Sequence, residues 1–86
     1  MMEHRHSPRY PATEKVRVYV HGELIAETRA ANLNRHGAFL ELRELPVKRG
    51  CCFETELRIP GVDATPSRRR SLVVHLSERG VGVMFL

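Results

Sequence analysis

The chain has 86 residues, a net charge of +4 and a pI near 9.7. Such a length supports one domain with a small core and no large enclosed catalytic cavity, because a chain of this size buries only roughly 60–65% of its extended surface. No run of about 18 apolar residues occurs and no apolar stretch follows the charged N-terminus, so neither membrane insertion nor secretion is expected, and a cytoplasmic location is.

The chain starts with MMEHRHSPR, read here as a flexible arm over residues 1–9, followed by one domain over residues 10–86. Pro8 and Pro11 hold the arm extended or turning, so Arg5 and Arg9 do not share a helix face. They are either solvated charges or a pair that closes on something negative.

From Lys15 the apolar period is two, not 3.6. Val16, Val18 and Val20 share one face of a first strand, and HGE at 21–23 is a turn around Gly22. A second strand is predicted over 24–33 and a third in GAFLEL, where Ala38, Leu40 and Leu42 oppose Phe39 and Glu41. Which set faces inward is open at this point. After the LPVKRG turn, CCFETELRI sets Cys51, Phe53, Thr55, Leu57 and Ile59 against Cys52, Glu54, Glu56 and Arg58, the pattern of a half-buried antiparallel strand. PGVDATPS is predicted as a loop, SLVVHL as a strand, SERG as a turn and VGVMFL as the last strand. No segment has a helical pattern. Five to six short strands in so small a domain point to an all-β fold, a closed or nearly closed barrel, since closure removes exposed edges.

Cys51 and Cys52 are adjacent, so on a strand they point to opposite faces and do not bridge each other. One buried and one more exposed thiol are expected, in a reducing compartment. The five histidines and two cysteines lack the spacing of a structural zinc site, and no metal is expected. No nucleophile, base and orienting group form a set, so an enzyme is not expected either. The basic excess, gathered in Arg5, Arg9, Lys15 and Arg17 and in the Arg68–Arg70 triplet, favours an anionic partner.

One segment breaks the strand alternation. In ANLNRHGAFL, Asn32 and Asn34 carry short amides that bond to nearby backbone or outward to a ligand, and Gly37 allows backbone that a side chain would forbid. His36 is the histidine of this stretch, a solvent-facing turn residue or a neutral contact to phosphate or base.

RHSPR together with NLNRHG resembles the two signatures of the PilZ domain family, RxxxR and [D/N]xSxxG. Arg5 and Arg9 match the first; Asn32 and Gly37 match the ends of the second, with Asn34 where the family has serine. The resemblance runs through LPVKRG to GVGVMF, from about residue 5 to residue 86. It implies a small six-stranded antiparallel β-barrel, here without an evident C-terminal helix, and a receptor for the bacterial second messenger cyclic di-GMP. In that family the ligand is often an intercalated dimer, gripped by the arginine arm against the barrel, and the output is a new shape or protein partner, with no cofactor. Arg5, Arg9, Asn32, Asn34, His36 and Gly37 are the ligand-binding residues expected on this basis.

Chemistry agrees with that assignment. The arginine fork matches phosphate oxygens and pairs with guanine O6 and N7, each good pair discriminating by about 1–3 kcal/mol. Ordering five arm residues costs about 5–10 kcal/mol, less whatever the prolines remove, so ordering and binding would be one event. Asn34 predicts a weakened or altered affinity, and its replacement by serine an equal or better one. Two alternatives remain: a PilZ-like protein-interaction domain that binds no nucleotide, and a small barrel binding single-stranded nucleic acid, for which two tyrosines, three phenylalanines and no tryptophan make a thin stacking platform. Downstream partner and oligomeric state are left open by the sequence.

Overall fold

The computed structural model describes residues 14–43 and 47–86. The arm, including Arg5 and Arg9, and the first residues of the LPVKRG turn lie outside that range. Six strands follow in order: β1 (Glu14–Val20), β2 (Glu23–Ala31), β3 (Gly37–Leu40), β4 (Cys52–Leu57), β5 (Ser67–Leu76) and β6 (Val81–Phe85). They close into a barrel in the order β1-β2-β3-β6-β5-β4, every neighbour antiparallel. No helix occurs among the described residues, and none is long and apolar enough to cross a membrane. The expected all-β, six-stranded antiparallel barrel is therefore the fold.

Period-two alternation places the core. Val16 and Val18 from β1, Phe53 and Leu57 from β4, Val73 from β5, and Val81 and Val83 from β6 are buried inside. In β3 it is Ala38 and Leu40 that point inward, which settles the face the sequence left open. Thr55 and Ser71 are the two buried polar residues among those described, and their hydroxyls bond to each other at 2.8 Å. Neither is left unsatisfied, which is what makes a hydroxyl pair tolerable in so small an interior.

The β1–β2 hairpin turns on His21 and Gly22 alone, both at positive φ (53° and 81°). That is the two-residue turn whose twist suits a hairpin. Ile25 is an extra residue in β2 and Val74 one in β5, where the register shifts. Such bulges bend a strand and help a short sheet to close. The seam between β2 and β3 is the shortest, with two paired positions, Ala30 with Leu40 and Ala31 with Phe39.

Three expectations change. The strand expected over SLVVHL begins earlier, at Ser67, so the arginine triplet is part of β5 and its side chains alternate. Arg69 is held by Asp63 at 2.7 Å and Arg68 lies over the Tyr19 ring at 3.7 Å, so the triplet is not one cationic patch. Both cysteines are exposed free thiols, where one buried thiol was expected. Cys51 has the inward parity of Phe53 but precedes β4, at the rim of the barrel, where no further layer covers it. The second strand ends at Ala31 and the third at Leu40, both two residues short of their predicted ends.

Candidate functional site

The connection from β2 to β3 carries the second motif, and its geometry follows from a few local choices. Asn32 adopts a left-handed backbone, φ 52°, which asparagine tolerates better than most side chains. This bend takes the chain out of β2 and lets Leu33 drop into the core, almost fully buried, between two exposed asparagines. Leu33 thus pins the turn to the barrel while Asn32 and Asn34 stay outside.

Asn34 then closes the turn. Its Oδ1 accepts the backbone N–H of His36 at 2.7 Å and that of Gly37 at 3.2 Å, and its own N–H donates to the Gly37 carbonyl at 3.0 Å. A serine hydroxyl makes the same type of side-chain cap, so asparagine and serine are exchangeable in this role. The side-chain oxygen of Asn34 is therefore engaged within the turn, and its outward polar group is the amide nitrogen.

His36 is exposed, and its carbonyl accepts the N–H of Phe85 at 2.9 Å, which ties the turn to β6. Gly37 pairs with Met84, and a Cβ there would overlap the carbonyl oxygen of Val83. Its backbone is not in the positive-φ region. Glycine is needed because β6 passes so close, and the residue with the unusual backbone is Asn32.

Asn32, Asn34, His36 and Gly37 thus meet on one rigid turn. They border a shallow, open stretch of surface that includes Val74 and Met84 from the outer face of β5 and β6. Asn32 also borders a larger groove of about 920 Å³, lined by Phe39, Glu41, Arg43, Ser77 and Arg79. Sequence reasoning missed that second wall. SERG reads only as a turn, and its place beside the end of β2 depends on β6 pairing with β3 in the closed barrel.

No family model matches the chain, and no curated protein is similar enough to count as a relative. The site therefore rests on its own geometry.

Charge completes the picture. Arg35, Arg43 and Arg79 have no ion pair with any described residue, whereas Arg17, Arg58, Arg68 and Arg69 all do. Glu14, the first described residue, pairs with Ala30, two positions before Asn32. Arg9 is five residues before Glu14 in the chain, a stretch of at most about 18 Å when fully extended.

Proposed function

We propose that this protein is a receptor for cyclic di-GMP, in which Arg5 and Arg9 close over the Asn32–Gly37 turn. The observation that carries this reading is the turn itself. Its backbone is locked by the Asn34 cap, the buried Leu33 and the bond from Phe85, while Asn32 is exposed and borders a groove with Arg43 and Arg79, which form no ion pair with a described residue. Preorganised polar groups on a rigid scaffold are what recognition of a small dianion requires. The likeness of the two motifs to those of the PilZ family supports the same ligand.

The ligand presents two phosphates and two guanines, so the arm arginines would bond phosphate or the O6/N7 edge and Asn32 a base edge. Binding would order the arm and create a surface for a protein partner, a change of shape without a reaction. Isothermal titration with cyclic di-GMP tests this, run in parallel on Arg9→Ala. Saturable uptake at on the order of tens of micromolar or tighter is expected, with at least a tenfold loss in the variant, about 1.4 kcal/mol. No uptake by the parent protein sinks the proposal.

A second reading, a protein-interaction barrel without a nucleotide, is favoured by one feature: Val74, Met84 and Leu86 on β5, β6 and the residue after it are 43%, 43% and 64% exposed. The same titration separates the two. The nucleic-acid reading has less support, because Phe53 is buried, Phe85 packs against the core and Tyr19 is covered by Arg68.

A further inference from the structure

The larger groove beside Asn32 has its own chemistry. Arg79 stands on the Ser77–Gly80 turn, which is closed by Ser77 N–H to the Gly80 carbonyl at 3.0 Å and Gly80 N–H back to Ser77 at 3.3 Å. The Ser77 hydroxyl accepts the Arg79 N–H at 3.2 Å. Gly80 sits so tightly on β3 that a Cβ would overlap the Leu40 carbonyl oxygen. The base of Arg79 is therefore fixed, and its guanidinium has no described ion partner.

Phe39 faces the same groove. Its cross-strand neighbours are Ala31 and Gly82, the two smallest side-chain types, so the ring is only partly covered. Glu41 is anchored through its backbone: its N–H donates to the Arg29 carbonyl at 3.0 Å and its carbonyl accepts the Thr28 hydroxyl at 2.6 Å. Glu41 lines the groove with Arg43 and Arg79, and its carboxylate forms no ion pair with either. An acceptor, two cations and a half-covered aromatic ring thus border one open groove of about 920 Å³.

A carboxylate that accepts two parallel donors suits the Watson–Crick edge of guanine, which offers N1–H and the N2 amino group. Adenine fails that test, because its N1 is a lone pair that would face the negative carboxylate. Aromatic rings stack any base, and arginines take the phosphate. We propose that this groove is a guanine-reading subsite: Glu41 accepts the base edge, Phe39 stacks on the ring, and Arg43 and Arg79 hold the adjoining phosphate. The inference rests on the receptor reading above and adds to it the residue that selects the base.

Calorimetric titration of cyclic di-GMP and cyclic di-AMP tests it on the parent protein, Glu41→Gln and the double variant Arg43→Ala/Arg79→Ala. Amide NMR spectra of each variant check that the barrel is intact, and Glu41→Gln leaves both backbone anchors of that residue in place. The parent is expected to prefer the guanine ligand by about tenfold or more. Glu41→Gln is expected to lose about tenfold on cyclic di-GMP while its affinity for cyclic di-AMP is unchanged, so that the preference collapses. The arginine variant is expected to weaken both ligands alike and to reduce the dependence on salt. A parent protein that binds the guanine ligand while Glu41→Gln keeps the same preference overturns the subsite and leaves the receptor standing. So does a uniform loss in Glu41→Gln, or an arginine variant that loses nothing. A parent that binds neither ligand overturns the receptor reading and the subsite with it.

Discussion

Across β2, β1, β4 and β5, Glu27, Arg17, Glu56, Glu54 and Arg68 are linked through ion pairs and the Tyr19 ring, whereas among the described residues Arg35, Arg43 and Arg79 around the Asn32–Gly37 turn form no ion pair. On the first flank Glu27 meets Arg17 at 3.1 Å, Arg17 meets Glu56 at 3.9 Å, and Tyr19 donates to Glu56 at 3.2 Å. Arg68 covers Tyr19 and reaches Glu54 at 3.6 Å. This is a ladder of polar contacts over four strands, and it leaves little for a ligand. On the second flank the rigidity comes from backbone bonds, a buried leucine and two glycines at close strand crossings, and the side chains of Glu41, Arg43 and Arg79 form no ion pair with a described residue. The difference teaches that a site on a small barrel is recognised by fixed backbone under uncommitted side chains, not by charge density alone.

The hardest way to break the second flank is through its crossing with β6. Gly37→Ala puts a methyl group into the Val83 carbonyl and must push β3 from β6, the pairing that closes the barrel beside the seam. A loss of about 3 kcal/mol is expected from this overpacking, read as a lower urea midpoint. A midpoint equal to that of the parent would show that β6 yields and that glycine is not sterically required.

Much of this contrast was legible in the sequence, and the rest was not, for definite reasons. The barrel follows from alternation in β1 and β4, where Val16 and Val18, then Phe53, Thr55 and Leu57, point inward and the residues between them are largely charged. The turn residues stand out because Asn32, Asn34 and Gly37 interrupt that alternation. The division of labour among them does not show: whether an asparagine oxygen faces a ligand or its own backbone depends on angles that composition does not encode. The Arg68–Arg70 triplet is left outside the predicted strand because three consecutive charges carry no period-two signal, yet pairing with Glu54 and Glu56 places it in β5. Arg79 and Arg43 come to one groove only through ring closure, a relation between distant segments.

A smaller effect sharpens the comparison at the ion-paired end. Arg69 donates to the Asp63 carboxylate, and Ile59 N–H donates to it as well, which together hold the Asp63 carboxyl below the ordinary aspartate range. Because the folded value is the lower one, the stabilisation is complete above the unfolded value of about 3.9 and is lost as pH falls through the folded value. Asp63→Asn is expected to cost on the order of 1 kcal/mol at neutral pH and to flatten the acid limb of the stability curve. Parallel acid limbs for the variant and the parent would count against this assignment. At the turn, Asn34→Ala removes the acceptor of two N–H groups and is expected to cost about 1 kcal/mol, which Asn34→Ser restores. If serine melts with alanine, the cap is not what holds the turn.

The smallest expected effect lies where the charges look most numerous. Glu54 and Arg68 are each a little over 40% exposed and 3.6 Å apart, so water and salt screen the pair and Glu54→Gln should change stability by less than about 0.5 kcal/mol. Arg68 has a second contact that Glu54 lacks, the face of Tyr19 at 3.7 Å. Arg68→Met should therefore cost more, about 0.5–1 kcal/mol, and retain most of that cost in high salt, since the stacking of a planar cation on a ring at short range is less screened than an open ion pair. A double-mutant cycle on Arg68 and Tyr19 measures the term directly. A coupling energy indistinguishable from zero would make the ladder on this flank a consequence of strand register, with the barrel core alone setting its stability.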